Sequence, residues 1–249
     1  MVYGDGYWSD IDPDIVFSMN LDEQAGLAAA DKARFGFTGT LNGGPARVLR
    51  QPTQIVTFGT TTVSMLTPQY INFTRTVGED ITSAADSSGL LEFSGKSCMF
   101  CATFSLDSFT TGERSAWSYT NDINGVCGWH FRISGINNLV FGFIGISDNS
   151  FNRNIGDLNP HSYCAWHDGS NILTLFIDGV QTNRFSATGA FTGCLGLGLI
   201  KVAKRDNAAH AEFGGGVSYL KIRKNVTVES NARELAKAYT NHVNGRLNQ

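Results

Sequence analysis

Hydrophobic and polar side chains alternate along several short stretches of the chain, as they do in strands with one buried face. Trp129, Phe131 and Ile133 alternate with two polar residues, which predicts a half-buried strand. Segment 139–146 carries apolar side chains at both odd-numbered and even-numbered positions, which predicts a strand covered on both faces. Similar apolar or β-branched stretches predict strands at 15–20, 55–58, 61–66, 70–74, 90–93, 97–106, 116–120, 126–133, 162–166, 172–177, 180–185, 194–202 and 216–223.

Turn signals that contain glycine lie between several of these strands. Asn124-Gly125 separates two predicted strands, and this dipeptide favours a tight hairpin because both residues readily adopt a positive φ. Two Asp-Gly pairs follow at 168–169 and 178–179, one on each side of another predicted strand. The chain is therefore expected to run back and forth in antiparallel hairpins.

One stretch has helical periodicity. In residues 232–244 apolar side chains recur every three or four positions, which predicts an amphipathic helix. Asn231 precedes this stretch as a candidate N-cap, with Glu234 three residues later as in a capping box. Residues 21–53 and 147–160 are rich in turn-forming and polar residues and are predicted to be loops.

The order of these elements predicts an all-β fold. No strand–helix–strand alternation occurs, so a parallel sheet is not expected, and no internal repeat is evident. The pattern predicts a two-sheet antiparallel β-sandwich, or jelly roll, with a short C-terminal helix. The expected organisation is an N-terminal arm at 1–14, a sandwich domain at 15–230, and a helix with its tail at 231–249.

Composition and charge narrow the classes of function. The 249 residues include 19 Lys and Arg and 22 Asp and Glu, which gives a formal net charge of -3. Domains that bind nucleic acid usually carry clustered basic residues, so no nucleic-acid partner is expected. No stretch approaches the ~18 apolar residues that a membrane-spanning helix needs, so no membrane partner is expected either.

The cysteines of the chain are Cys98, Cys101, Cys127, Cys164 and Cys194. An odd number is a poor basis for a disulfide framework. Cys98 and Cys101 form a C-x-x-C motif, but residues three apart on a strand point to opposite faces, which argues against a metal or redox site. We therefore expect five free thiols and synthesis in a reducing cytoplasm, in keeping with an N-terminus that lacks the features of a secretory signal.

Residues 163–179, with the sequence YCAWHDGSNILTLFIDG, resemble the hairpin of laminin G-like domains. These domains belong to the concanavalin A-like lectin/glucanase superfamily. Segment 217–225 looks like the last strand of that family, 15–19 like its first strand, and 90–106 like the strand pair that enters the sandwich body. The resemblance covers roughly residues 15–230 and implies a jelly-roll sandwich. This fold hosts hydrolases, lectins and scaffolding modules, so it does not decide the function.

Glucanases of this superfamily carry an E-x-D-x-E strand, which places three carboxylates on one face of the cleft as nucleophile, helper and acid. The sequence contains no E-x-D-x-E, and no glutamate begins an E-x-D. We therefore expect no catalytic residues and a protein that is not an enzyme. A glycoside hydrolase that draws its carboxylate pair from separate strands is the remaining enzymatic alternative.

The loop predicted at 147–160 supplies the candidate binding residues. Calcium is common on the rims of laminin G-like domains, and hard cations bind clustered oxygen ligands. Two alternatives remain for this loop: it binds a glycan or calcium, or it is merely solvated. No other cofactor is expected. Asp122 and Asn124 are interpreted as turn residues instead. The candidate residues of the loop are Asp148, Asn149, Asn152, Asn154 and Asp157.

The leading interpretation is a non-enzymatic structural or binding module of a virus particle. The chain looks like bacteriophage virion proteins of the capsid-decoration, tail and fibre classes, which are made in the host cytoplasm without a signal peptide and act in the virion. On this interpretation the arm, with Tyr3, Tyr7 and Trp8, attaches the sandwich to other virion proteins, in a homo-oligomer or a large assembly. The alternatives are a lectin or receptor-binding protein that binds a host-surface glycan, and a glycoside hydrolase.

Overall fold

Strands dominate the computed structural model, which describes residues 8–21, 28–33, 37–43, 45–48, 52–58, 61–66, 70–74, 79–93, 95–109, 112, 114–121, 127–143, 147–154, 157–186, 193–204 and 213–247. The strands of this part are β1 Ile15–Met19, β2 Ala28–Ala29, β3 Gly39–Asn42, β4 Ala46–Val48, β5 Pro52–Phe58, β6 Thr61–Leu66, β7 Tyr70–Phe73, β8 Asp80–Ser83, β9 Cys98–Phe104, β10 Arg114–Asn121, β11 Trp129–Ser134, β12 Asn138–Phe143, β13 Ser147–Asn154, β14 His161–His167, β15 Leu173–Ile177, β16 Val180–Phe185, β17 Gly198–Val202 and β18 Gly215–Lys224. A single helix of the described residues, α1, spans Glu229–Leu247.

Two eight-stranded antiparallel sheets form the body of the fold, which confirms the predicted all-β sandwich. The helix-side sheet has the strand order β16-β15-β14-β9-β18-β7-β4, and β1 pairs with β18 outside this path. The far sheet has the order β13-β12-β11-β10-β17-β8-β3-β2. Strands β5 and β6 form a separate hairpin. The strands at the centre of the two sheets are far apart in sequence, so the sandwich is closed by long-range pairing.

Aromatic rings fill the core between the two sheets. The ring centroid of Trp129 lies 4.6 Å from that of Phe100 and 4.7 Å from that of Trp117. Phe131 and Phe141, on neighbouring strands of the far sheet, are 4.8 Å apart. All five rings are fully buried. Trp129, Phe131 and Ile133 of β11 lie in the core as predicted, but His130 between them is buried as well, so the strand is not half-buried throughout. Large rings contribute strongly to a core because each one removes much apolar area from water.

Helix α1 packs on the other face of the helix-side sheet and closes a second core. Its residues Leu235 and Tyr239 are buried in one cluster with Met99 and Trp166 of the sheet. The indole N–H of Trp166 donates to the carbonyl of Val226, 2.6 Å away. The helix-side sheet is therefore covered on both faces, which explains the continuous apolar sequence of β9. Among the described residues, no helix is both long enough and apolar enough to cross a membrane.

Two local predictions are wrong. The helix begins at Glu229, so Asn231 lies inside it and not at its N-cap. Segment 90–93 forms a turn and not a strand, because the Asp86 carboxylate accepts two of its backbone N–H groups. An acidic side chain that offers these bonds gives the backbone an alternative to a sheet ladder.

Both predicted loops contain strands. Residues 21–53 include β2, β3, β4 and the start of β5, and residues 147–160 include all of β13. Strand β13 lies at the edge of the far sheet, where its neighbour is β12. A polar sequence conceals such a strand, because an edge strand is specified by pairing with its neighbour more than by an apolar face of its own.

The N-terminal segment is part of the packed body from Trp8 onward. The Trp8 side chain is fully buried, and its indole N–H donates to the carbonyl of Leu235, 2.9 Å away. Its ring also meets that of Tyr239 edge-on, with 5.2 Å between the centroids. The boundary predicted at Ile15 is therefore too late. Trp8 is not available as an attachment side chain in this conformation, and Tyr3 and Tyr7 lie outside the described residues.

Acidic residues of this segment pair with basic residues of β18. The ammonium of Lys221, which is fully buried, lies 2.6 Å from Asp10 Oδ1. Arg223 contacts Asp12 at 2.8 Å and Asp14 at 3.4 Å. Lys221 and Arg223 are two residues apart on β18 and so point to the same face, where the turns of residues 9–14 bring the three carboxylates to them. The acidity of residues 8–14 thus serves contacts within the chain.

The expectation of five free thiols is wrong. Cys101 is bonded to Cys164 and Cys127 to Cys194, while Cys98 is free and buried. Cys101 and Cys164 are register partners on β9 and β14, which brings their side chains together on the helix-facing side. Cys98 lies in the core between the sheets, so the C-x-x-C residues do point to opposite faces, as predicted. Free thiols therefore no longer support the expectation of a reducing environment.

Replacement of Trp8 by Ala is expected to lower the free energy of unfolding by about 3–5 kcal/mol, because it opens a cavity and removes the hydrogen bond from the indole to the Leu235 carbonyl. Chemical denaturation of the full chain measures this change. Ile11→Ala in the same segment is the matched control, since Ile11 is 91% exposed and should change stability by no more than about 0.5 kcal/mol. Equal and small effects of both variants would contradict the docking of this segment.

Thiol titration of the denatured, unreduced protein should find one reactive thiol, that of Cys98. After reduction the same assay should find five, the total number of cysteines in the chain. Five thiols before reduction, in protein purified under air without a reducing agent, would rule out both disulfides.

Candidate functional site

One end of the sandwich collects the loops around the end of β9 and the start of β14. Phe104, the last residue of β9, is the register partner of His161, the first residue of β14. The β15–β16 turn lies beside them, because the backbone N–H of Asp178 donates to the carbonyl of Ser162, 2.8 Å away. The β9–β10 loop, the segment before β14 and the β15–β16 turn therefore meet at this end.

Arg114 adds the β11–β12 turn to the same end. It is fully buried at the start of β10. Its Nη1 donates to the carbonyl of Ser108 in the β9–β10 loop at 2.9 Å, and its Nη2 donates to the carbonyl of Ile136 in the β11–β12 turn at 2.6 Å. A buried guanidinium needs several acceptors, and carbonyls from two loops supply them here. The two loops are fixed to each other through this side chain.

Four large apolar side chains are exposed at this end. Phe109 is 41% exposed, Ile136 51%, Leu158 43% and Val180 62%, and we call these four residues the apolar rim. They make up half of the eight large apolar side chains that are exposed among the described residues. Scattered exposed apolar residues need no explanation, whereas several at one place indicate an interaction surface.

A histidine lies between two carboxylates within this rim. His161 Nδ1 is 2.7 Å from Asp178 Oδ2, and His161 Nε2 is 3.1 Å from Asp157 Oδ1. The side chains are partly accessible, with exposed fractions of 26% for His161, 49% for Asp157 and 44% for Asp178. The three groups can therefore contact a ligand that lies on the apolar rim.

The charges of this cluster shift two pKa values in opposite directions. The hydrogen bond to Asp178 raises the pKa of His161 above its usual 6.5, and the bond to Asp157 acts in the same direction against the effect of burial. The backbone N–H of Asn159 and the imidazole of His161 lower the pKa of Asp157. At neutral pH Asp157 is therefore ionised and acts as a hydrogen-bond acceptor.

The β15–β16 turn holds Asp178 in place. Asp178 and Gly179 have φ values of 50° and 75°, as the Asp-Gly signal predicts. A Cβ at Gly179 would come within 2.9 Å of the Lys237 backbone, so only glycine fits between the turn and α1. Asp178 Oδ1 also accepts the backbone N–H of Ser162 at 2.9 Å. The helix thus fixes the turn that carries one of the two carboxylates.

The residues that the sequence predicts to form a glycan or calcium loop lie in two different places in the structure. Asp157 contacts His161 beside the apolar rim. Asp148 and Asn149 lie on β13, opposite Gly142 and Phe141 of β12, so the prediction of a loop is wrong for them. Asn152 and Asn154 lie on the same strand. The side chains of these four β13 residues, and the turn residues Asp122 and Asn124, lie outside the described part of the chain.

No group of three or more His, Cys, Asp or Glu side chains that could hold a metal ion occurs among the described residues.

Sequence reasoning missed most of this end. It identified the Asp178-Gly179 turn and Asp157, but it did not connect either with His161. A histidine 17 residues from its carboxylate carries no local signal, whereas the hairpin that joins β14 and β15 brings the two together. Phe109 and Ile136 could be found only through the position of Arg114 between their loops.

Comparisons with known proteins establish the fold. No protein-family model matches the chain, and no curated protein sequence matches it either. Among solved structures it is similar to the Trypanosoma rangeli sialidase in complex with sialic acid, at 11% identity and a TM-score of 0.64, over 93% of this chain and 34% of the sialidase. It is also similar to the binding domain of Paraclostridial Mosquitocidal Protein 1, at 14% identity and a TM-score of 0.59, over 91% of this chain and 52% of that one.

A further similar structure is the binding domain of Botulinum neurotoxin DC in complex with rat synaptotagmin II, at 9% identity and a TM-score of 0.59. It is matched over 92% of this chain and 52% of its own. The chain thus spans about half of each toxin domain and about a third of the sialidase. At these identities the similarity shows the fold alone, a two-sheet β-sandwich.

Replacement of Arg114 by Lys should destabilise the protein by about 1–3 kcal/mol, because lysine cannot serve both loop carbonyls and leaves one of them buried without a donor. Amide exchange at 105–109 and 135–137 should become faster. Arg184→Lys is the matched control, since this arginine is 41% exposed and pairs with Glu229 at the surface, where the loss should stay below about 0.5 kcal/mol. Unchanged exchange in both loops of the Arg114 variant would contradict its role as their link.

Proposed function

We propose that this chain is a non-enzymatic binding module that recognises a carbohydrate through the apolar rim and the polar groups beside it. The observation that carries this proposal is the convergence of four exposed apolar side chains with His161, Asp157 and Asp178 at one end of the sandwich. Loops supported by a rigid scaffold are the usual place for recognition.

The chemistry of the rim suits a sugar. Sugar rings present an apolar C–H face and an edge of hydroxyl groups, so they need both an apolar surface and hydrogen-bond acceptors. Phe109 and Ile136 supply the first on two loops that Arg114 holds together. Asp157 and Asp178, both nearly half exposed, supply the second.

Known proteins of this fold support the class of function. The similar sialidase is described in complex with sialic acid, and the similar neurotoxin binding domain in complex with rat synaptotagmin II. Ligand binding by sandwiches of this fold supports the proposal.

The hydrolase alternative is disfavoured at this site. A glycoside hydrolase needs one carboxylic acid that holds a proton near the working pH, which requires a raised pKa. Here the pKa of Asp157 is lowered, and both carboxylates are engaged with the same imidazole. The cluster is suited to accepting hydrogen bonds and not to donating a proton to a leaving group.

We further propose that the module acts as part of a virus particle, such as a phage capsid decoration, tail or fibre protein, among other virion proteins. The near-neutral, strand-rich composition supports this role, and two disulfides suit a protein that acts in an oxidising environment such as a virion surface. Mass spectrometry of purified particles should detect the chain. Genomic neighbours that encode no particle components, together with its absence from particles, would contradict the assignment.

Phe109→Ser and Ile136→Ser, alone or together, are expected to weaken glycan binding at least ~10-fold, which corresponds to about 1.4 kcal/mol. A glycan array of neutral and sialylated oligosaccharides selects the ligand, and calorimetric titration of the best oligosaccharide measures the affinity. The loss is expected because both substitutions remove exposed apolar contact area from the rim.

Leu195→Ser is the matched control for these variants. Leu195 is 87% exposed and lies in the connection before β17, outside the rim loops. Its replacement should leave the affinity unchanged. An array on which no oligosaccharide binds, or an equal loss for Leu195→Ser and the rim variants, would contradict recognition through the rim.

A further inference from the structure

We propose that His161 is a positioning residue that, when protonated, bridges Asp157 in the segment before β14 and Asp178 in the β15–β16 turn. We call this pair of contacts the latch, which is closed when both are made and open when the contact to Asp157 is lost, and which sets the shape of the apolar rim. Both ring nitrogens lie within hydrogen-bond distance of a carboxylate, one on each of these two elements. The ring therefore bridges these two parts of the chain.

Only the imidazolium form can serve both carboxylates. A protonated histidine has two N–H donors, whereas the neutral ring has one donor and one acceptor. An ionised carboxylate accepts hydrogen bonds and cannot donate one. When His161 loses its proton, one of the two carboxylates must face a ring lone pair, and that contact becomes repulsive.

The geometry indicates which contact is lost. Asp178 is held independently, because its Oδ1 accepts the backbone N–H of Ser162 and its turn is packed against α1. Its distance to the ring, 2.7 Å, is also shorter than the 3.1 Å distance of Asp157. The remaining proton therefore stays on Nδ1, and Asp157 is released together with Leu158.

The surroundings of His161 fix the direction of the pH dependence. Strand β9 presents Phe104 in register with it, its own strand presents Tyr163 at 6.1 Å between ring centroids, and the other two elements present Asp178 and Asp157. The charged groups that face the ring among the described residues are thus carboxylates, and they raise its pKa above 6.5. The latch is complete below the unfolded-state pKa of about 6.5 and is lost as pH rises through the higher folded-state value.

This inference rests on the proposed function for its consequence. Leu158 is one of the four side chains of the apolar rim and follows Asp157 directly. A closed latch fixes the position of Leu158 at this end of the sandwich, and an open latch leaves the rim incomplete. Glycan binding is therefore expected to be tighter at acidic than at alkaline pH.

The test uses NMR on the full chain, with the His161 ring titrated from about pH 5.5 to about pH 8.5, a range that spans ordinary histidine titration. Protection of the Leu158 and Asn159 amides is measured over the same range and corrected for intrinsic exchange. His161 should titrate above 6.5, and protection should fall as its proton is lost. Titration at or below 6.5, or protection that does not follow it, would overturn the proposal.

Three variants separate the latch from general effects of charge. In His161→Gln the side-chain amide cannot donate hydrogen bonds to both carboxylates. Protection of the Leu158 and Asn159 amides should therefore stay at the level of the open latch at every pH. Asp178→Asn should lower the His161 pKa, since asparagine tolerates the positive φ of the turn and removes only the charge. Asp107→Asn, an exposed carboxylate in the β9–β10 loop, should leave that pKa unchanged. Equal shifts in the two Asp variants would overturn the latch.

Binding of the selected oligosaccharide at the two ends of this pH range distinguishes the latch from the function. Wild-type protein should bind several-fold more tightly at the acidic end, and His161→Gln should show no such difference. Binding that is equal at both pH values in the wild type would overturn the pH control while leaving carbohydrate recognition intact. Failure of every oligosaccharide to bind would refute the function, and the NMR titration would still decide the latch.

Discussion

The burial of β9 on both faces is the constraint on which the rest of the structure depends. Every residue of Cys98–Phe104 is buried, and this strand lies between β14 and β18 in the middle of the helix-side sheet. Phe100 faces the aromatic core between the sheets, and Met99 faces the helix. A sheet that is covered twice can present polar groups to a ligand only at the ends of its strands. The rim at the Phe104 end of β9 follows from that arrangement.

Covering the second face requires both termini of the chain. Helix α1 supplies most of the cover, and Trp8 fills the space beside Tyr239. Lys221 points into this layer, where its buried ammonium donates to the carbonyl of Trp8 at 2.7 Å and to Asp10 at 2.6 Å. A buried charge without such partners would cost several kcal/mol, on the order of 3–5. The acidic N-terminal segment is therefore a structural partner of β18.

Prediction from the sequence worked where the signal was local. The alternation at Trp129–Ile133 and the Asp178-Gly179 turn are properties of neighbouring residues, and both are found in the structure. It failed where pairing partners are distant. The counter-charges of Asp10 and Asp12 lie 211 residues away, so an acidic aromatic segment looked like a free arm. The two disulfides were missed for the same reason, because their cysteines are 63 and 67 residues apart. Strand β13 was missed because its sequence is polar, although its partner β12 directly precedes it.

The candidate site shows the same division. Asp157 was chosen from a polar segment, but its chemistry depends on His161 and on a turn that comes later in the chain.

The most direct measurement is a crystal structure of the protein with the oligosaccharide selected by the array. The account predicts electron density for a sugar in contact with Phe109 and Ile136 and within hydrogen-bond distance of Asp157 or Asp178. Density for the sugar on the outer face of the far sheet, or at the opposite end beside Leu195, with an empty rim, would contradict it.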